Sequence, residues 1–235
     1  MQHYFGTILD NKAIIDGKQI HHLLNVRRTR VGEKLEVSDD AVSYLCEVKS
    51  LDPLDIVVLH PLENKRELDI DLFLAFGVLK GDHNDLIVLK GTELGVSVFL
   101  PFTSGRTVVK PTSKDNKYQR LCKKAEEGAL QCRRDLIPEV WDYMTLQHVL
   151  KINADLKLFA YEEEAGKGKT LMDATKDIAK GNRVLVVIGP EGGFSAHEAA
   201  LAKEAGFVPV SLGKRILRAE TAALYCASVI AGATE

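Results

Sequence analysis

A glycine-rich loop of unusual chemistry lies late in the chain, between the apolar run RVLVVI and a helical pattern. It reads Gly189-Pro190-Glu191-Gly192-Gly193. A Walker phosphate loop carries a lysine and a dinucleotide loop has G-x-G-x-x-G spacing, and this loop has neither. Pro190 removes an amide donor, and Glu191 would repel a pyrophosphate. The loop therefore favours a ligand without phosphate groups, and a cationic centre would suit Glu191.

The helix that follows this loop has its own N-terminal cap. Ser195 and Glu198 fit the S-x-x-E capping box, so the first amides of the helix are already partly occupied. S-adenosylmethionine (SAM) carries a sulfonium and no phosphate, and it meets both conditions. The alternative, which spacing alone leaves open, is a tight turn whose glycines only supply positive φ.

A second loop, LGKRILRAETA at residues 212–222, combines cations with apolar residues. Ile216 and Leu217, with free backbone groups, could hold an adenine, while the flanking cations could face an RNA phosphate or stabilise an anion. The alternative is a solvated basic turn with both apolar side chains in the core. Both loops follow strands of one expected parallel sheet, and ligands bind beyond the carboxyl ends of such strands. One shared site is therefore favoured.

Two regions of the chain with different sequence patterns indicate which elements position these loops. Residues 1–66 alternate short β-rich runs, such as KLEVS and DIVVLHPL, with turn signals, and contain one short helical pattern, QIHHLLNV. This predicts a small β-barrel-like module. From residue 67 to 235, apolar strands alternate with helical patterns, which predicts an α/β domain with a mostly parallel sheet covered by helices.

Composition excludes several classes. The 235 residues carry no signal-peptide pattern and no apolar run long enough for a membrane helix, so we expect a cytoplasmic protein. The four cysteines form no C-x-x-C pair, which argues against a zinc site or a disulfide framework. We expect buried or half-buried thiols and no metal. Residues 106–134 hold nine Lys/Arg against three Asp/Glu in a chain of net charge −2, which predicts a local phosphate-binding face.

Taken together, the two loops resemble those of the knotted SPOUT methyltransferases, and more closely the ribosomal small subunit methyltransferase E family. That family makes 3-methyluridine in 16S rRNA, at uridine 1498 in the usual numbering. The resemblance also includes HHLLNVRRTRVGEKLEVSD and KGDHNDLIVLKGTELGVSVFLPFTSGRTVVK, so it covers nearly the whole chain. It implies a PUA-like RNA-binding β-barrel (residues 1–66) and a SPOUT domain (residues 67–235) with a trefoil knot, a homodimer formed through that domain, and bound SAM.

The resemblance also assigns site residues. Those at the cofactor are Phe159, Ala160, Ile188, Gly189, Glu191, Gly193, Leu212, Gly213, Ile216, Leu217 and Arg218. Uridine N3 must lose a proton before it attacks the methyl group, and arginine can stabilise the resulting anionic oxygen. Arg218 is the first candidate for that role, followed by Arg106 and Arg134. Glu191, Glu220 or water could accept the proton.

The rRNA of the small ribosomal subunit is the expected partner, held by cations. The predicted RNA contacts are Arg27, Arg28, Arg30, Lys34, Lys123, Lys124, Arg133 and Arg134. The chain departs from the family pattern at Gln2 and His3, which replace basic residues, and at Gly105 and Leu130, which replace glutamates. Other functions left open are a ribose 2′-O or guanosine N1 methyltransferase and a non-catalytic RNA-binding assembly factor. The intact cofactor loops favour an enzyme.

Overall fold

The computed structural model describes residues 1–63, 65–108 and 116–234. Two units are distinct: Met1–Glu67 together with Ala129–Ile137, and Leu68–Gly128 together with Pro138–Glu235. The grouping of residues 129–137 with the first unit is a feature that the order of the chain did not predict. Lys110 and Lys114 of the basic segment lie outside the described residues.

The first unit contains a closed five-stranded barrel. Its strands are β1 (Gln2–Leu9), β2 (Lys12–Ile15), β3 (Lys34–Asp39), β4 (Val42–Leu51) and β5 (Leu54–Pro61), in the order β1-β2-β5-β4-β3. The barrel closes through parallel pairing of β1 with β3, while the other pairs are antiparallel. Alternate residues point inward, so Leu35, Val37 and Cys46 reach the core. The predicted β-barrel module is confirmed.

A short helical segment interrupts the barrel strands where QIHHLLNV predicted one. Helix α1 (Gly17–His21) begins after Asp16, whose side chain accepts a hydrogen bond from the backbone N–H of Gln19. A π-helical turn follows over His22–Val26. The next residues form a loop anchored by the buried Thr29, whose N–H donates to the carbonyl of Leu23.

The second unit is built on a seven-stranded sheet. Its strands are β6 (Asp71–Gly77), β7 (Val98–Thr103), β8 (Glu139–Val140), β9 (Met144–Thr145), β10 (Leu156–Ala160), β11 (Arg183–Ile188) and β12 (Val208–Val210). Their order is β12-β10-β11-β6-β7-β8, β9 also pairs with β7, and every pair is parallel. The expected parallel sheet is confirmed.

Helices cover both faces of this sheet. They are α2 (His83–Glu93), α3 (Lys117–Cys132), α4 (Leu146–Val149), α5 (Leu171–Ala174), α6 (Ala196–Glu204) and α7 (Ala219–Gly232). Along β11, Val184, Val186 and Ile188 belong to one apolar cluster, whereas Leu185 and Val187 belong to the other. Burial on both faces explains why this strand is an unbroken apolar run. The segment TLMDATKDIA, residues 170–179, forms only the single helical turn α5.

The cysteines are buried or half-buried, as predicted. Cys46 and Cys226 are buried, and Cys122 and Cys132 are half-buried. Burial raises the pKa of the Cys46 thiol to about 11 and also raises the pKa of Cys226, which keeps both protonated near neutral pH. In the part of the chain that the structure describes, no helix is long and apolar enough to cross a membrane.

Candidate functional site

The two motif loops begin side by side at one edge of the parallel sheet. Ala160, the last residue of β10, pairs with Ile188 at the end of β11 and with Val210 at the end of β12. The loops that follow these strands enclose a cavity of about 520 Å³. Its position beyond the carboxyl ends of the strands is where open α/β sheets bind ligands. The expectation that both loops share one site is met geometrically.

Most of the residues predicted at the cofactor line this cavity. They are Ala160, Ile188, Gly189, Glu191, Gly193, Leu212, Gly213, Ile216, Leu217 and Arg218. Phe159 is placed differently. Its side chain is fully buried in the core and packs against Phe194, with ring centroids 4.4 Å apart. Successive strand residues face opposite sides of a sheet, so the Phe159 ring does not share a face with Ala160. A contact of Phe159 with the cofactor would therefore be made by its backbone.

The first loop is clamped against the end of β6. A Cβ on Gly77 would lie 2.4 Å from the nitrogen of Pro190, so only glycine permits this approach. The Lys80 N–H donates to the Glu191 carboxylate at 2.8 Å, and the Gly193 N–H donates to the Pro190 carbonyl at 2.9 Å. Gly193 has a φ of 63°, which favours glycine. These contacts fix the shape of the cavity wall.

The predicted capping box is present and links the first loop to another segment. Ser195 and Glu198 cap helix α6 reciprocally, and the Gly105 N–H donates to Glu198 at 2.9 Å. Burial alone would raise the pKa of the Glu198 carboxyl, but hydrogen bonds from Ser195 and Gly105 outweigh it and lower that pKa below its ordinary value. Glu198 is therefore ionised at neutral pH and holds the residue before Arg106.

Arg106 lies beside the cavity wall rather than in its lining. Its Nη1 donates to the carbonyl of Gly192 at 3.0 Å. A Cβ on Gly192 would lie 3.1 Å from the Cβ of Arg106, so the two chains are in close contact. One donor of this guanidinium already stabilises the loop, while the side chain remains exposed.

The second loop does not bury both of its apolar side chains, as the alternative of a solvated basic turn would require. Ile216 is 78% exposed, whereas Leu217 packs partly against the apolar core. Gly213 has a φ of 113°, and its carbonyl accepts the N–H of Gly166 at 2.9 Å. Arg218 is exposed at the N-cap position of α7. The loop therefore offers an apolar side chain, backbone groups and a cation to the cavity.

The cavity is also lined by residues that the sequence did not assign to the cofactor site. Among them are His83, Tyr161, Glu162, Arg215 and Glu220, the last of which was named only as a possible proton acceptor. Nδ1 of His83 lies 3.5 Å from Oε1 of Glu220. Burial, together with Glu163 and Glu162, raises the pKa of the Tyr161 phenol. His83 follows β6, which pairs with β11 in parallel, so its loop starts at the same edge. If the sequence had shown that β6 lies next to β11, His83 would have been included among the predicted site residues.

Comparisons with known proteins agree with this architecture. The sequence matches the family model of an RNA methyltransferase domain over residues 66–231 and that of an RNA methyltransferase PUA domain over residues 15–59. It is 37% identical to ribosomal RNA small subunit methyltransferase E of Bacillus subtilis, with 100% of this chain and 98% of that protein covered. The chain belongs to the ribosomal RNA small subunit methyltransferase E family.

Two further members extend the comparison. The methyltransferase E of Synechocystis is 30% identical, with 92% of this chain and 71% of that protein covered. The crystal structure of methyltransferase E from Neisseria gonorrhoeae, bound to S-adenosyl methionine, is 26% identical and superposes with a TM-score of 0.85, covering 98% of this chain and 96% of that one. The predicted PUA-like barrel and SPOUT α/β fold are confirmed.

Four cations that the family resemblance assigned to RNA lie on or beside the loop that follows the π-helical turn of the barrel. Arg27, Arg28, Arg30 and Lys34 are exposed. Within the described residues, none of the four pairs with a carboxylate. We call Arg27–Arg30 the arginine loop. Its buried anchor, Thr29, accepts a hydrogen bond from Nε2 of Gln2 at 3.3 Å, which holds the loop while its arginines face solvent.

The basic segment of residues 106–134 is less cationic in the structure than in the sequence. Arg120 pairs with Asp82 and Asp85, and Lys124 pairs with Glu127. Lys123 is exposed. Asp82 and Asp85, which are distant from this segment in sequence, therefore neutralise part of the charge that a local count assigns to it.

Arg134 is a correction to the predicted RNA face. It is only 4% exposed and pairs with Glu67, whose carboxylate also accepts the N–H of Asp135 at 2.9 Å. A buried guanidinium held by a carboxylate is not available to a phosphate or a uracil oxygen. Arg133 is exposed, lies 3.8 Å from Glu36 and has a φ of 60°. That conformation favours glycine.

Proposed function

We propose that this protein transfers a methyl group from SAM to N3 of a uridine in the 16S rRNA of the small ribosomal subunit. The observation that carries the proposal is the cavity itself. The chain belongs to an rRNA methyltransferase family, and residues of both IGPEGG and LGKRILRAE line the cavity at the edge of the sheet. The relative from Neisseria gonorrhoeae was solved with S-adenosyl methionine bound, which supports the same cofactor here.

The residues of the cavity fit SAM chemically. Its volume of about 520 Å³ lies within the range of roughly 300–1,000 Å³ that is typical of small-molecule sites. Leu212, Ile216 and Leu217 offer an apolar surface for an adenine. The carboxylates of Glu162, Glu191 and Glu220 suit a ligand with a sulfonium and an ammonium group. The first loop, IGPEGG, offers neither a lysine nor the glycine spacing that phosphate-binding loops use.

The residues of the chain have three tasks in this reaction. SAM, when bound, supplies the electrophilic methyl carbon. The clamped first loop fixes the site so that little reorganisation is required on binding. Arg218 extends from the N-terminus of α7 at the cavity and would donate hydrogen bonds to the uracil oxygen that becomes negative when N3 loses its proton. Arg106 adds positive charge beside the same wall while its hydrogen bond to Gly192 maintains the loop.

The barrel supplies the RNA contacts in this proposal. Its arginine loop and Lys34 would bind phosphates, with Lys123, Lys124 and Arg133 as further contacts. A base in structured RNA must leave its stack to reach a concave site, so we expect the uridine to be turned out into the cavity. The family resemblance further suggests a trefoil knot, a homodimer formed through the SPOUT domain, domains divided near residue 67 and a cytoplasmic location.

Two measurements test the proposal. Isothermal titration calorimetry should show SAM binding to the full chain; no binding at millimolar SAM would favour a non-catalytic RNA-binding factor. Mass spectrometry of 16S rRNA should show that 3-methyluridine is lost when the gene is deleted and returns with the wild-type gene. An unchanged 3-methyluridine signal, accompanied by loss of a 2′-O-methyl nucleoside or 1-methylguanosine, would transfer the assignment to one of those reactions.

A further inference from the structure

An imidazole–carboxylate pair lies at the edge of the cavity. His83 is the first residue of α2, and Glu220 lies in the first turn of α7. Nδ1 of His83 is 3.5 Å from Oε1 of Glu220, and both residues line the cavity. Within the described part of the chain, Nε2 of His83 has no hydrogen-bond partner. A carboxylate that faces Nδ1 favours the tautomer in which Nδ1 carries the proton and Nε2 carries the free electron pair.

The loop that carries His83 is held in place on two sides. The side chain of Asn84 accepts the Leu79 N–H at 2.9 Å and donates to the Leu79 carbonyl at 2.8 Å. The adjacent N–H of Lys80 donates to Glu191 across the cavity wall. A side chain on such a braced loop keeps its position when a ligand binds, which is what a group in proton transfer requires.

We propose that His83 accepts the proton from N3 of the target uridine and that Glu220 is its positioning residue. This inference rests on the proposed function and deepens it. In the step, the N3–H bond breaks and the proton bonds to Nε2 of His83. N3 forms a bond to the methyl carbon of the sulfonium donor, and the electron pair of the broken C–S bond remains on sulfur as a neutral thioether. The proton then leaves His83 for solvent, because 47% of the side chain is exposed.

The other groups of the cavity are less suited to this task. Glu191 already accepts a hydrogen bond from Lys80. Glu162 packs against Gly193, where an added Cβ would lie 2.1 Å from its carboxylate oxygen. Glu220 lies in the first turn of α7, and its carboxylate faces Nδ1 of His83 at 3.5 Å. Histidine is the side chain whose ordinary pKa is closest to neutral, which best matches a base that works near neutral pH.

The charges around His83 are accounted for. On its own side, Asp82 and Asp85 pair with Arg120. From the loop before α7, Arg215 and Arg218 line the same cavity as Glu191 and Glu220. Glu220 is the carboxylate that approaches the imidazole within 4 Å among the described residues, so its removal is the specific perturbation.

The first experiment compares His83→Ala with the wild type in single-turnover methylation of 16S rRNA at saturating SAM. We expect a rate loss of about 10²–10³-fold, in line with the contribution of general-base catalysis. The rate of His83→Ala should recover in part with added imidazole. The loss of rate at acidic pH that we expect of the wild type should be absent from His83→Ala. His148→Ala, an exposed histidine on α4 outside the cavity, is the matched control and should leave the rate unchanged.

The second experiment does not depend on turnover. In ¹⁵N NMR spectra, the His83 ring of the wild type should show the tautomer with the proton on Nδ1, and Glu220→Gln should lose this preference. Calorimetry should give the same SAM affinity for His83→Ala and the wild type. A His83→Ala variant with normal rate, no imidazole rescue, or lost SAM binding with unchanged maximal rate would overturn the inference. Absence of methylation by the wild type would instead refute the proposed function.

Discussion

The backbone N–H of Lys80 donates a hydrogen bond to the carboxylate of Glu191 at 2.8 Å. This bond joins the loop after β6 to the loop after β11, and it lies beside the close approach of Gly77 to Pro190. A carboxylate that accepts from a backbone amide is held in one orientation. Glu191, which sequence reasoning named both as a cofactor contact and as a possible base, is therefore placed as a structural acceptor that shapes the cavity.

Substitution of Glu191 separates these roles. Glu191→Gln keeps an acceptor oxygen, so we expect a maximal methylation rate within a few-fold of the wild type. Glu191→Ala removes the acceptor and should weaken SAM binding by about ten- to a hundredfold, since a hydrogen bond to a charged group contributes roughly 1.5–3 kcal/mol. Calorimetry and single-turnover kinetics measure the two effects. A complete loss of turnover in Glu191→Gln with normal SAM affinity would restore Glu191 as the base.

Arg218 is expected to act on catalysis and not on stability. Its side chain is exposed, and within the described residues it has no ion pair. Arg218→Ala should lower the single-turnover rate by about 10²–10³-fold, the usual cost of removing one donor to a developing anion. The melting temperature should remain within about 1–2 °C of the wild type, because surface changes usually alter stability by less than 0.5 kcal/mol. Lys203→Ala, on α6, is a control for loss of surface charge.

The opposite result for Arg218 would be informative. A variant that turns over normally would remove it from the reaction. A variant that binds SAM poorly but reaches the normal maximal rate would make it a cofactor contact instead.

The sequence predicted the sheet well because Val184–Ile188 and the neighbouring strands are apolar on both faces. It predicted the two cavity loops because their residues combine glycines, cations and carboxylates. It could not place His83 at the cavity, since that follows from β6 lying next to β11, an order that periodicity does not encode. Nor could it show that Arg134 is buried, because its partner, Glu67, is 67 positions away in the chain.

The arginine loop provides a test of the RNA face. Replacement of Arg27, Arg28 and Arg30 by alanine should weaken binding of 16S rRNA fragments at low salt. Each arginine that contacts a phosphate should reduce the slope of log K against log salt concentration by about 0.7–0.9. Filter binding at several salt concentrations measures this slope. Arg120→Ala, whose guanidinium is paired with Asp82 and Asp85, is the matched control and should keep the wild-type slope. Equal slopes for the triple variant and the control would exclude the arginine loop from the RNA face.

His3 departs from the basic residue of the family pattern, and the structure buries it in a polar cluster of the first unit. Its Nδ1 lies 3.6 Å from Glu36, and its Nε2 lies 3.4 Å from the hydroxyl of Ser38. Arg66 pairs with Glu36 at 2.8 Å, and the hydroxyl of Ser43 donates a hydrogen bond to Asp135 in the same cluster. Burial lowers the pKa of the His3 imidazole below its ordinary value of 6.5, although Glu36 opposes that change.

A lowered pKa makes the stability of the first unit depend on pH in a defined direction. Below pH 6.5 the unfolded chain binds a proton at His3 that the folded chain resists, so the free energy of unfolding should fall as pH decreases from 6.5 through the folded pKa. One proton limits the slope to about 1.4 kcal/mol per pH unit.

His3→Gln should remove this part of the slope, while His60→Gln, at an exposed histidine on β5, should retain it. Hydrogen exchange of the barrel amides at pH 7.5, 6.5 and 5.5 measures the difference. Identical slopes for wild type and His3→Gln, or an NMR titration of His3 with a midpoint above 6.5, would show that the imidazole is charged in the folded barrel.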